Sequence, residues 1–219
     1  MHSTIKNLQN IQQEVKQKLV ENNLSQKPNV IAVSKTFKLD HINYLIEYGH
    51  DHFGENKVQE AVDKWSEIKN KKKDLKLHLI GKLQSNKAKF AVKLFDYIHS
   101  LDNEKLARKI AECQKKENKN LGLFIQVNIG NEDQKSGINE VDLFDFYNYC
   151  KELDLNIIGL MCIPPFNKKS LTYFEKMKKL QNSLKLKELS MGMSSDYLDA
   201  LDYGATYLRI GSSIFGRRV

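Results

Sequence analysis

The stretch Val30-Ile31-Ala32-Val33-Ser34-Lys35 joins four apolar residues to a small residue and an ammonium. Bounded by Pro28-Asn29 before and Thr36 to Asp40 after, it fits a buried strand of a parallel sheet. Lys35 falls where that strand leaves the sheet. In α/β barrels and open α/β sheets this is the end that binds ligands, because the loops there vary without disturbing the scaffold. A lysine closing an apolar strand is also an ordinary solvated strand end, so the surrounding chain has to decide between the two.

Before this strand, Ile5, Leu8, Ile11, Val15 and Leu19 recur at the three-and-four spacing of an amphipathic helix over Ser3 to Asn23. After it, Asp40 can cap a helix carrying Ile42, Leu45 and Ile46 and ending at Gly49. A short strand at His52 to Gly54 leads to a helix from Asn56 with Val58, Ala61, Val62, Trp65 and Ile68 on one face. Leu77 to Ile80 and Tyr97 to His99 read as strands separated by a helix over Asn86 to Leu94. A helix capped by Asp102 or Asn103, with Leu106, Ile110 and Cys113 inward, precedes the strand Leu121 to Val127. A polar loop from Asn128 to Gly137 is followed by a helix showing Leu143, Phe144, Tyr147 and Leu153. Asn156 to Leu160 is the sixth strand, closed by Pro164-Pro165. Leu171 to Leu184 marks a helix, Leu186 to Leu189 the seventh strand, Ser194 to Tyr203 a helix ended at Gly204, and Thr206 to Ile210 the eighth strand. Eight β/α alternations predict a single α/β domain over residues 1–219, a (β/α)8 barrel of the TIM type with an extra amino-terminal helix. A doubly wound sheet of fewer strands is the alternative.

Composition excludes several classes. The 219 residues are 41% hydrophobic, enough for a sizeable core, and three prolines and eleven glycines leave no stretch resembling a linker. The amino terminus lacks an apolar leader, and no apolar run approaches the ~20 residues of a membrane span, so a cytoplasmic protein without membrane contact is expected. Cys113, Cys150 and Cys162 are odd in number and without C-x-x-C spacing, which argues against disulfides and zinc and for small core residues; no metal is expected. The net charge of +8 comes mostly from lysines spread over every helix, with no aromatic-interleaved basic stripe. A solvated lysine-rich surface accounts for this better than nucleic-acid binding.

Two segments can carry chemistry besides Lys35. Leu189-Ser190-Met191-Gly192-Met193-Ser194-Ser195-Asp196 sets glycine and serines just before a helix, and Arg209-Ile210-Gly211-Ser212-Ser213 repeats the device after the eighth strand. Barrels commonly build phosphate sites from these two loops. Ser194 can equally be an N-cap, with Asp196 complementing the helix dipole and repelling a phosphate placed too close.

At this point the residues become specific. Ala32 to Thr36, Phe53-Gly54-Glu55-Asn56-Lys57-Val58-Gln59-Glu60, His78-Leu79-Ile80-Gly81-Lys82-Leu83-Gln84-Ser85-Asn86-Lys87, Gly159-Leu160-Met161 and the tail Leu189 to Gly216 closely resemble the pyridoxal phosphate homeostasis family, almost from end to end. The resemblance implies the barrel of the amino-terminal domain of alanine racemase and the binding of pyridoxal 5′-phosphate, without a well-established reaction. It implies that Lys35 forms the Schiff base with the cofactor aldehyde, which requires a neutral amine and hence a pKa below the usual ~10.4. By the same resemblance Arg209 reaches the pyridine nitrogen as an obligate donor and leaves it unprotonated. Ser194, Gly211 and Ser212 would hold the phosphate with the Met193 backbone nearby, and Asn56 would face the ring or its phenolic oxygen. His78 is a further candidate, though a histidine at a strand start can equally be structural. The implied function is a monomeric carrier that buffers the cofactor and delivers it to apo pyridoxal enzymes. An amino-acid racemase is the alternative, disfavoured because in the resembling racemases the second base comes from an additional carboxyl-terminal domain that a barrel filling this length leaves no room for.

Overall fold

β-branched and other apolar residues at consecutive positions make Asn29–Val33 a strand buried on both faces. This strand, β1, seeds a closed parallel barrel in the computed structural model, which describes residues 1–132, 134–165 and 169–216. The elements run α1 (Ser3–Glu21), β1, α2 (Leu39–Tyr48), β2 (His52–Glu55), α3 (Val58–Lys71), β3 (Lys76–Leu79), α4 (Ala88–Leu94), β4 (Tyr97–Leu101), α5 (Glu104–Glu117), β5 (Gly122–Val127), α6 (Leu143–Glu152), β6 (Ile157–Cys162), α7 (Leu171–Ser183), β7 (Glu188–Met193), α8 (Tyr197–Asp202), β8 (Tyr207–Ile210) and α9 (Ser212–Phe215). Sequential strands pair in parallel, and β8 closes on β1 with Ile31 opposite Arg209. The eight alternations expected of the sequence are therefore present, and the doubly wound alternative is excluded.

Strand alternation splits the core in two. Ile31, Val33, Phe124, Met161 and Tyr207 fill the barrel interior with Ile80, Tyr97 and Ile158. Val30, Ala32, Phe53, Leu77 and Ile98 face outward into a larger cluster with Leu8, Ile42, Trp65 and Phe95 from the helices. All three cysteines are buried and unbridged, and burial pushes the thiols of Cys150 and Cys162 up to about 12, so these two are inert packing residues at neutral pH. No helix among the described residues is long and apolar enough to cross a membrane.

Several boundaries differ from expectation for local reasons. Helix α2 starts at Leu39, so Asp40 lies in its first turn and complements the dipole instead of capping it. Phe144 is 60% exposed, because Leu143, Phe146 and Cys150 form the buried stripe of α6 and Phe144 sits about 100° away from it. The largest change concerns β7. After α7 the chain turns through Lys185 at φ 53°, the Leu186 amide bonds back to the Gln181 carbonyl, and the Gln181 amide donates to the Lys187 carbonyl at 2.8 Å. This wrap uses the residues expected to begin the strand and shifts β7 to Glu188–Met193, which brings Ser190 into the barrel wall opposite Met161.

Candidate active site

The carboxyl ends of β1, β2, β7 and β8 surround a cavity of about 310 Å³. Its walls include Lys35, Asn56, Met193, Ser194, Arg209, Gly211 and Ser212, seven of the eight site residues expected from sequence, together with apolar Val33, Phe37, Ile80 and Ile163. The Lys35 side chain is half-buried at the mouth, one alternation beyond Val33 on the inward face of β1.

The backbone that carries Lys35 is clamped from behind. Ser34 and Glu55 face outward, where Lys64 and Trp65 of α3 meet them. Glu55 Oε1 accepts from Ser34 Oγ at 2.8 Å, Lys64 Nζ at 2.9 Å and Trp65 Nε1 at 2.9 Å. Lys64 also donates to the Ser34 carbonyl at 3.0 Å and to Glu60 at 3.1 Å. Glu60 in turn accepts the Thr36 amide at 2.6 Å and so holds Thr36 at φ 69°, a left-handed conformation that a β-branched residue adopts only under constraint. The strand end is thus fixed on both sides of Lys35.

Asn56 owes its position to a glycine. A side chain at Gly81 would place its Cβ 2.3 Å from the Asn56 carbonyl oxygen, so only glycine lets the end of β3 lie against this residue. Helix α3 begins at Val58, not at Asn56 as the sequence suggested, so Asn56 stays outside the helix on the cavity rim. Its Oδ1 is buried with no hydrogen-bond partner among the described residues.

The loop after β7 and the start of α9 form the opposite wall. Gly192 adopts φ 87°, and the Ser213 amide donates to Ser194 Oγ at 3.3 Å, which ties the two loops together. Helix α8 begins at Tyr197, so Ser194 is not its cap. Asp196 does not line the cavity. Its carboxylate accepts the Met193 amide and the Ser170 hydroxyl, both at 2.7 Å, and is turned into the loop.

Arg209 is 4% exposed, and burial draws its pKa below the ordinary arginine value, while its guanidinium stays protonated. Nη1 donates to Ser190 Oγ at 2.7 Å and Nη2 to the Cys162 carbonyl at 2.8 Å. His78 is the exception among the expected residues. It is fully buried inside the barrel, below the cavity it was expected to line, bonded to His52 and His99 at 2.9 and 3.0 Å. Burial, reinforced by His99 and His52, holds it well below the usual imidazole range.

The alanine racemase, N-terminal domain family model matches residues 6–219. Among curated proteins, the pyridoxal phosphate homeostasis protein of Aquifex aeolicus is 37% identical over 86% of this chain and 86% of its own length. That of Haemophilus influenzae is 35% identical over 97% and 94%. The chain belongs to the pyridoxal phosphate homeostasis protein family. A solved structure described as PipY of Synechococcus elongatus PCC7942 with PLP bound is 35% identical, matches with a TM-score of 0.79, and covers 92% of this chain and 100% of that one.

Within this family member, the sequence missed the residues behind the cavity. Glu55, Glu60 and Lys64 sit on an outward strand face and a helix, and their spacing alone does not reveal that they meet at Ser34. His52, His99 and Ser190 carried one available signal, the placement of His52, His78 and His99 on three successive short strands.

Proposed function

We propose that this protein binds pyridoxal 5′-phosphate in the cavity at the carboxyl end of the barrel, and holds and releases it as a reserve of the cofactor. The convergence on one cavity of the Lys35 amine, buried Arg209 and two Gly/Ser loops carries this reading. When bound, the cofactor supplies an aldehyde that condenses reversibly with an unprotonated amine. Lys35 presents that amine from a strand end locked by Ser34, Glu55, Glu60 and Lys64. Arg209 donates to the ring nitrogen and, being unable to give up its proton, leaves that nitrogen unprotonated. Ser194, Gly211 and Ser212 hold the phosphate beside the Met193 backbone, and the Asn56 side chain on the cavity rim faces the ring or its phenolic oxygen. The carrier works as a cytoplasmic monomer and passes the cofactor to apo pyridoxal enzymes.

Racemisation needs acid–base groups on both faces of a substrate carbon. Among the described residues lining the cavity, Lys35 and Arg209 are the only titratable side chains, and arginine does not exchange protons near neutral pH. This supports the carrier over the racemase, as do the names of relatives that describe homeostasis of the cofactor. The direct experiment is borohydride reduction of the cofactor-loaded protein followed by peptide mass mapping. A single pyridoxyl adduct at Lys35 is expected, and an adduct distributed over Lys57, Lys82 or Lys87 overturns the assignment.

Arg209→Ala removes a charge-assisted hydrogen bond of about 1.5 to 3 kcal/mol, so cofactor affinity should fall roughly ten- to a hundredfold. It should not create a racemase. Solvent deuterium incorporation into alanine and serine is expected to stay at background in wild type and variant, and wild-type inversion at ~1 to 1000 per second would restore the enzyme reading.

A further inference from the structure

The barrel interior holds a hydrogen-bonded chain that the carrier reading leaves unused. His52 Nδ1 meets His78 Nε2 at 2.9 Å, His78 Nδ1 meets His99 Nε2 at 3.0 Å, and His99 Nδ1 meets Ser190 Oγ at 2.8 Å, from which Arg209 Nη1 lies 2.7 Å away. These groups come from β2, β3, β4, β7 and β8. Since β4 and β7 are not neighbours, the His99 to Ser190 link crosses the barrel itself. Aromatic rings fix the imidazoles: Tyr97 stacks on His78 at 4.5 Å, Phe124 stacks on His99 at 4.2 Å, and Tyr207 stands edge-on to His99. One end of the chain is Arg209 in the cofactor cavity. The other, half-buried His52, lines a second cavity at the amino-terminal end of the barrel with Asn29, Asp51 and Lys16.

Arg209 and the buried Ser190 hydroxyl together set the direction of every proton in this chain. A guanidinium only donates, so Ser190 Oγ accepts from Arg209. The hydroxyl is fully buried and its own proton also needs an acceptor; among the described residues His99 Nδ1 is the only one bonded to it, so His99 Nδ1 takes that proton. A neutral imidazole carries a single N–H, so His99 has it on Nε2 and donates to His78 Nδ1. The same reasoning places the His78 proton on Nε2, donated to His52 Nδ1, and the His52 proton on Nε2 facing the second cavity. Reversing one ring would set two N–H groups, or two lone pairs, against each other. Burial supports the neutral state of His78 and His99, which are both 0% exposed.

We propose that His52, His78, His99 and Ser190 form a single-direction relay of Nε2–H imidazoles that positions Arg209, so that the guanidinium facing the cofactor is anchored through the barrel to its opposite end. Its effect on cofactor binding rests on the reading of the cavity given above; the proton arrangement does not. In the relay, Ser190 cannot rotate away without leaving either the arginine or His99 unmatched, and a buried unmatched group is costly.

Nitrogen NMR of the cofactor-free protein labelled in histidine, at neutral pH, reads the arrangement directly. His52, His78 and His99 should each show a protonated Nε2 and a bare Nδ1. A protonated Nδ1 at His99 or His78, or a doubly protonated ring in the chain, overturns the relay. Ser190→Ala removes the hydroxyl that sets the direction, and should move the resonances of His78, two links away, as well as those of His99. In the loaded protein it should speed cofactor release roughly tenfold, the loss of one hydrogen bond of about 1.4 kcal/mol, while the adduct still maps to Lys35. Unchanged release in this variant overturns the positioning role even if the tautomers are as stated. Failure of wild-type protein to form an adduct at Lys35 would instead sink the cofactor reading and leave the NMR result standing.

Discussion

Lys35→Ala should yield a folded protein that retains no covalently attached cofactor. The side chain ends at a cavity mouth, whereas the bonds that hold this strand end are made by the Ser34 and Thr36 backbone and by Glu55, Glu60, Lys64 and Trp65, all of which survive the substitution. The visible absorption of loaded protein should therefore disappear after dialysis, while thermal unfolding shifts by no more than the ~0.5 kcal/mol typical of a site outside the core. The loss is all-or-none because an alanine has no amine to attach the aldehyde. Retained colour in the variant would move the site to another lysine. A variant that does not fold would make Lys35 a structural residue.

Acid should destabilise the protein far earlier than carboxylate titration alone would cause. His78 and His99 are fully buried and held well below the usual 6.5, and burial lowers His50 to about 4 against the opposing pull of the His52 carbonyl and Asp51. In the unfolded chain these imidazoles bind protons as the pH falls below 6.5, and in the native state they do not. Their stabilisation is thus complete above about pH 6.5 and is lost as pH falls toward the folded values. Each contributes a slope of at most about 1.4 kcal/mol per pH unit in that window. For His50, with a folded value of about 4, the fall from pH 6.5 to 4 removes on the order of 3 kcal/mol, a sizeable part of the stability of an ordinary domain, and His78 and His99 act in the same direction. Urea melts at pH 7.5, 6 and 5 should show the midpoint falling steeply, with a net uptake of protons on unfolding that grows as the pH falls. A flat midpoint over that range would mean that the histidines are not buried neutral. Protonation of His78 or His99 would also set a charge near Arg209, the same group whose field helps to depress His99.

Much of this was legible in local pattern. The apolar run closing on Lys35 needs no tertiary information to be read as a strand end, and eight alternations of strand and helix leave few ways to close a sheet. The loops carrying Ser194 and Ser212 were readable because glycine and serine before a helix have a local backbone meaning. Which of the two roles left open for His78 applies was not legible for a physical reason: a strand position states only that a side chain points inward or outward, and not whether the inward side chain reaches the cavity or lies a layer below it. Ser190 was missed because the wrap of Lys185 to Lys187 onto α7 displaces the strand start, and the pull of Gln181 on the Lys187 carbonyl is not a sequence pattern.

The sequence by itself determined the barrel, the strand that bears Lys35 and the two loops that face it, since each follows from the periodicity of neighbouring residues. Only the tertiary structure decided which polar groups meet: Glu55 with Lys64 behind the strand, and His52, His78, His99 and Ser190 behind Arg209. Such partners sit on elements distant along the chain, His99 and Ser190 being 91 residues apart, and nothing in local propensity records which of them the closure of the barrel brings within hydrogen-bond reach.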